Sequence, residues 1–295
     1  MNLSRLLAFV LLFFAVAAQA EPEPGSAAAL RQTYVALAER LAASPFGRPL
    51  VLESRQSDGR VQGAVYAVVD HGFDELKSAL DGTRQWCEVL ILHLNVKDCR
   101  STPGGGLAVF LGRKTPQPPE QAQRLDFEYR TAAHAADFME AVLQAESGPA
   151  GTRDYRIRLA AAPLDAKRSF VALSYSYAYG LAARIAVNAY LATAGSGKVG
   201  FTVLGKQPDK GLEYVGGLRG IVERNVMRYY LALEAHLAAL SAPPEARPEK
   251  SMRDWFAATE RYPRQLHEIG RAEYLAMKRL EYRRDALALR AERSR

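Results

Sequence analysis

The chain is short of the residues on which most recognisable chemistry depends. Its 295 residues include two cysteines, two tryptophans and five histidines. His71, His93, His134, His236 and His267 form no HxxxH-type pair, and no serine sits in a nucleophile-elbow sequence. The glycine run at residues 104–106 lacks the strand, lysine and helix that a phosphate loop requires. These absences exclude the common metallohydrolase, serine-hydrolase and nucleotide-binding signatures, and no metal or cofactor is expected. A strong charge of one sign is missing too. Lys and Arg number 39 against 32 Asp and Glu, and the net charge of +7 is spread along the chain, so no nucleic-acid partner is expected. Beyond the first twenty residues there is no long uninterrupted apolar run of the kind that spans a bilayer.

What is present begins with that first stretch. "MNLSRLLAFVLLFFAVAAQA" has Arg5 in a short polar start, an apolar run over residues 6–18 and a small-x-small "AQA" ending before "EPEP". Residues 1–20 therefore read as a secretory signal peptide, and the periplasm is the expected location. The apolar run is short for an uncleaved anchor. The remaining chain of about 275 residues, nearly half of it apolar, suffices for one large domain with an appendage.

In an oxidising compartment two cysteines allow one intramolecular pairing. Cys87 and Cys99 bracket most of "RQWCEVLILHLNVKDCR". Zinc needs about four ligands, and His93 is the one other strong candidate nearby. A disulfide is the expectation, with a free thiol nucleophile as the alternative.

Hydrophobic periodicity orders the rest. Leu30, Tyr34, Leu37 and Leu41 have helical spacing, and "SPFGRP" stops that helix, so residues 21–56 read as a helical segment. "RVQGAVYAVVD" reads as a strand, followed by two short helices separated at "DGTRQ". In "RLDFEYRT", Leu125, Phe127 and Tyr129 alternate with Asp126, Glu128 and Arg130, the period of a sheet with one wet face. "DFMEAVLQAE" fits strand or short helix. "DYRIRLAAA" and "RSFVALSYSYAYG" continue the strands, and a helical piece then leads to a last strand in "KVGFTVLG". A long helix over about residues 214–240 carries Leu218, Val222, Asn225, Tyr229, Leu233, His236 and Leu240 on one stripe, with Arg219, Glu223 and Glu234 away from it.

This element order, with "FDELKSALDGTRQW" after the first strand and "GLRGIVERNVMRYYLALEAHL" as the long helix, resembles the START-like or SRPBCC superfamily, which includes polyketide cyclases. The resemblance covers about residues 60–240. It implies an α+β helix-grip fold, an antiparallel sheet wrapped around the long helix. On that basis residues 57–242 are taken as a START-like ligand-binding domain and residues 243–295 as a helical C-terminal extension. The N-terminal helix, the helical insertion near residues 181–194 and the C-terminal extension depart from the minimal fold.

The resemblance also implies a cavity between sheet and helix for a hydrophobic small molecule or lipid, bound or transported in the periplasm. Its candidate walls are Trp86, Val89, Leu90 and His93 from the segment between the cysteines, and Phe127, Tyr129, Tyr155 and Ile157 from the sheet. Asn225, Tyr229 and His236 face them from the helix. Residues of these types are also ordinary core, and Tyr175, Tyr177 and Tyr179 on one strand face fit a cavity lining or cross-strand packing equally. A cyclase- or hydrolase-type enzyme using the same cavity is the alternative, with His93, Asn95 and Lys97 in acid, base and polarising roles. A third reading comes from the tail. Leu266, Ile269, Met277, Leu280 and Leu287 make an incomplete stripe, so residues 251–292 offer a helix for a protein partner. Its mixed charge opposes a polybasic membrane anchor, leaving room for transient membrane contact. The proline-rich link "SAPPEARPEK" suggests that the tail is separable.

If the cysteines are paired, thiol titration of protein unfolded without reductant finds no free thiol. Two free thiols per chain contradict the pairing.

Overall fold

Alternating hydrophobicity builds two different faces on one sheet. The structure is a computed structural model that describes residues 25–193, 195, 197–208 and 211–293; the expected signal peptide lies outside them. Helices α1 (Ala27–Ala36) and α2 (Ala38–Ala42) lead into strands β1 (Leu50–Ser57) and β2 (Arg60–Val69). Helices α3 (Phe73–Ala79) and α4 (Thr83–Leu90) follow. The chain then meanders through β3 (Val96–Ser101), β4 (Leu107–Leu111), β5 (Gln123–His134), β6 (Met139–Ser147), β7 (Thr152–Pro163) and β8 (Ser169–Tyr179). After α5 (Leu181–Ala192), a separate hairpin of β9 (Val203–Gln207) and β10 (Gly211–Tyr214) precedes α6 (Gly217–Ala239). Helices α7 (Arg247–Thr259), α8 (Pro263–Leu266) and α9 (Arg271–Arg293) close the chain.

The eight-stranded sheet has the order β1-β2-β8-β7-β6-β5-β4-β3, with each neighbouring pair antiparallel. The ambiguous "DFMEAVLQAE" contributes β6. Leu143, Ile157, Leu159, Leu173 and Val65 point to the main core. Ala160, Ala162, Phe170 and Ala172 point the other way, onto Leu30, Leu37 and Leu41 of the N-terminal helices. Between them on the outer face, Arg158 holds Glu140 through two bonds of 2.7 Å.

The sheet starts earlier than expected. The helical part of residues 21–56 ends at Ala42, and β1 pairs along its whole length with β2 through the two-residue turn Asp58-Gly59, where Gly59 takes φ +74°. The expected last strand in "KVGFTVLG" shrinks to β9, which joins β10 rather than the large sheet.

Helix α6 lies so close to the sheet that a side chain on Gly63 of β2 would meet Val226 Cγ1 at 3.0 Å and the Val222 carbonyl oxygen at 3.2 Å. One glycine thus sets how near the helix sits. The single stripe expected of α6 is in fact buried on several sides, and Glu223, Arg224 and Arg228 are buried with Val222, Val226 and Leu233. Glu223, expected on the wet side, accepts from the Phe201 and Thr202 amides (2.6 and 2.9 Å) and from the Ser54 and Thr202 hydroxyls. A carboxylate so fully bonded tolerates burial.

The C-terminal extension covers the other side of α6. Trp255 is 1% exposed and its Nε1 donates to the Arg228 carbonyl at 3.0 Å; its ring stacks on Tyr274 at 5.0 Å. Tyr274 donates in turn to the Leu92 carbonyl. Leu266 and Met277, expected on a partner-binding stripe, are buried at home, Ile269 packs on the same core, and Leu280 is exposed. The tail is therefore part of the core rather than a separable appendage, because α6 would otherwise expose an apolar flank. Helix α9 also packs along β3, the edge strand, which would otherwise present an open ladder.

Ending the chain near Pro243 abolishes cooperative thermal unfolding. Trp255→Ala alone costs about 3–5 kcal/mol, measured by denaturant titration.

Candidate functional site

Helix α4 is held at both ends. At its start the Gly82 amide donates to the Tyr129 hydroxyl at 3.0 Å, and near its end Cys87 is bonded to Cys99 of β3, with Cα atoms 5.2 Å apart. A helix fixed this way turns one apolar face, Trp86, Val89 and Leu90, inward. There it meets Ile157 and Leu173 of the sheet and Tyr229 and Leu233 of α6.

Those seven side chains meet with no space between them that a water molecule can enter. Ligand cavities are commonly about 300–1,000 Å³, so the expected open cavity is here a closed seam. Six of the lining residues are buried and Tyr229 is partly exposed.

Aromatic rings fill the space beside the seam. His93 stacks on Tyr229 with centroids 5.1 Å apart, Tyr175 meets Tyr229 edge-on at 5.4 Å, and Tyr155 stacks on Tyr177 at 5.3 Å. The Tyr155 hydroxyl pairs with Thr152 at 2.7 Å. Burial pushes the phenol pKa values of Tyr155, Tyr175, Tyr177 and Tyr229 up, so all stay protonated. Burial, then the charges of Arg228, Lys278 and Lys114, hold the His93 imidazole well below its ordinary value, and it is neutral. Its Nδ1 accepts from the Asn95 amide at 3.2 Å. Asn225 stands near enough to favour the protonated ring, yet Nε2 makes no hydrogen bond of normal geometry. Trp86 Nε1 is buried without a partner as well.

Behind His93 lie two ionic clusters. Lys278 donates to the His93 and Val96 carbonyls, both at 2.8 Å, and to Glu281 at 2.7 Å; Lys97 bonds the same carboxylate at 3.2 Å and the Leu94 carbonyl at 2.9 Å. Burial lowers Lys278 to about 8 and lowers Lys97 too. Glu268 receives Lys198, Lys114 and Arg228 at 2.6, 2.7 and 2.8 Å. Burial raises its pKa, but the three cations overcome that and hold it at about 2.

Of the expected site residues, Trp86, Val89, Leu90, Ile157 and Tyr229 line the seam, and His93 and Tyr155 join it through ring contacts. Asn225 stands beside His93. Three lie elsewhere. Phe127 packs in the core at β5, Tyr129 caps α4, and His236 Nε2 donates to the Ala79 carbonyl at 3.1 Å, tying α6 to α3. The His93–Asn95–Lys97 trio does not converge, since the Asn95 side chain donates to the Gly112 carbonyl and Lys97 is held by Glu281. Leu173, Glu268, Lys278 and Glu281 were not expected at the site, and Leu233 was expected only on the stripe of α6. Leu173 and Leu233 alternate like any core leucine, and the charged three belong to a tail whose sequence resembles a solvated helix.

A second, open cleft of about 590 Å³ at the end of the sheet is lined by Asp70, Asp74, Glu75, Asp165 and neighbours. Among the described residues no cluster of His, Cys, Asp and Glu is arranged to hold a metal ion, and no helix is long and apolar enough to cross a membrane.

A large antiparallel sheet gripped by a long helix makes this an α+β protein of helix-grip arrangement. No protein-family model matches the chain and no curated protein matches it. Solved structures that resemble it include a START superfamily protein from Mycobacterium smegmatis (11% identity, 46% of this chain and 94% of that one, TM-score 0.31). A norcoclaurine synthase from Thalictrum flavum, in complex with dopamine and hydroxybenzaldehyde, matches at 12% identity over 50% of this chain and 80% of its own, TM-score 0.33. A protein from Micromonospora echinospora matches at 11% over 74% and 98%, TM-score 0.33. Likeness at this level concerns the course of the chain and assigns neither ligand nor activity.

Glu268→Gln leaves three cations without their carboxylate and destabilises by about 3 kcal/mol at neutral pH. Because the folded pKa lies below the ordinary 4.5, this stability is present above pH 4.5 and is lost as pH falls toward 2. Thermal unfolding of both proteins between pH 7 and 3 shows the gap closing.

Proposed function

We propose that the protein binds and carries a hydrophobic small molecule or lipid at the junction of α4, α6 and the sheet, and does so in the periplasm. The observation that carries this reading is the apolar seam between α4, α6 and the sheet. Six apolar side chains converge there with Tyr229, the one lining residue that is partly exposed. Among the described residues no hydrogen bond ties the Tyr229 hydroxyl. Swinging the ring outward gives up its contacts with His93 and Tyr175, about 0.5–1.5 kcal/mol each. The open state is then a minor one, and apparent affinity falls by its population. The staple at Cys87 keeps α4 in place, so entry proceeds on the α6 side. The secretory leader read in residues 1–20 supports the location.

Binding of an uncharged phenylnaphthylamine probe, followed by fluorescence, tests the reading together with native mass spectrometry of organic extracts. Tyr229→Ala should speed probe association by about tenfold, as expected when a closed minority state becomes open. Leu173→Phe, which fills the seam, should weaken binding while leaving the protein folded. If neither the wild type nor Tyr229→Ala takes up any apolar probe, and nothing is extracted, the closed interior is structural and the role passes to partner binding.

A further inference from the structure

The polar atoms beside the seam specify what kind of apolar molecule it suits. In neutral His93, Nδ1 accepts the Asn95 amide, which places the ring proton on Nε2. Nε2 is therefore a donor, buried in a residue 4% exposed, with the Asn225 side chain beside it but no hydrogen bond of normal geometry. Trp86 Nε1, in a residue 2% exposed, is a donor by chemistry and is unpartnered too. Trp86 and Tyr229 border the same seam, and His93 stacks on Tyr229. Two buried N–H groups without acceptors are an unusual expense in a core, and both ask for an acceptor rather than a donor.

The surrounding charge has the same preference. Around Glu268 and Glu281 stand Lys114, Lys198, Arg228, Lys97 and Lys278, five cations to two carboxylates. Three of them, Arg228, Lys278 and Lys114, act on the His93 ring. A negative group placed at Nε2 would gain from that field in a setting of low dielectric.

We propose that the ligand is an amphiphile with an apolar body and a carboxylate head, received by the N–H groups of Trp86 and His93. This rests on the junction being a ligand site at all. The apolar body takes the space opened by Tyr229, and the head supplies the missing acceptors.

The test is a head-group series on one alkyl chain, dodecanoate, methyl dodecanoate and dodecylamine, measured by calorimetry at neutral pH below micelle formation and repeated at high salt. Wild-type protein should bind dodecanoate at least about tenfold more tightly than dodecylamine, the worth of one charge-assisted hydrogen bond. The methyl ester, an acceptor without charge, should fall between. High salt should leave most of the preference intact, because the groups are buried. In His93→Phe and Trp86→Phe, checked for folding by thermal unfolding, the preference should shrink markedly while the ester still binds. Equal binding of carboxylate and amine overturns the head-group assignment and leaves the hydrophobic site standing, as does a preference unchanged in both folded variants. Failure of all three compounds removes the site itself. The wild-type series decides the matter even if a variant does not fold.

Discussion

The shared carboxylate of Glu281, placed between two buried lysines, is the constraint around which the rest of the architecture is arranged. Lys97 comes from β3 and Lys278 from α9, and both side chains are fully buried. Charges removed from water at such cost persist only where geometry and added hydrogen bonds compensate. Here they do: Lys278 also serves the His93 and Val96 carbonyls and Lys97 the Leu94 carbonyl, so the tail and β3 together satisfy backbone acceptors of the segment between α4 and β3. That loop carries His93. The last helix, which looks like an accessory, thus holds the wall of the interior in place.

A second consequence concerns α6. In a minimal helix-grip arrangement one face of the long helix meets the sheet and the other meets water. Here α7 and α8 pack on the outer face, which is why Arg228 can lie buried on it and why Trp255 can bond the Arg228 carbonyl. With α4 stapled to β3 and α6 clamped from behind, the interior has few degrees of freedom left. The Tyr229 ring is one of them, since the residue is partly exposed and, among the described residues, no hydrogen bond ties its hydroxyl. The interior is closed in this state because stacked tyrosines and His93 occupy the space that a wider cavity would need.

Much of the main sheet was legible because alternation is local. Phe127 and Tyr129, or Tyr175 and Tyr177, show which face is apolar without reference to anything distant. The disulfide was legible because a chain with two cysteines allows one intramolecular pairing. The candidate site was legible in part: Trp86, Leu90 and Tyr229 come together at one closed seam, whereas Tyr129 and His236 spend their polar groups on the Gly82 amide and the Ala79 carbonyl. No periodicity distinguishes a histidine that caps a neighbouring helix from one that faces a cavity.

What the sequence determined by itself was the order of elements, the inward face of each central strand and the pairing of Cys87 with Cys99, all consequences of spacing over a dozen residues or fewer. Only the tertiary structure decided that β1 belongs to the sheet and that Glu223 is a buried anchor. The packed tail and the filled interior were likewise its decisions. Each depends on groups far apart in the chain, such as Lys278 with the His93 carbonyl at a separation of 185 residues and Tyr274 with the Leu92 carbonyl at 182. A charged helix reads as solvated until the partner for its charges is known, and that partner is supplied by the fold.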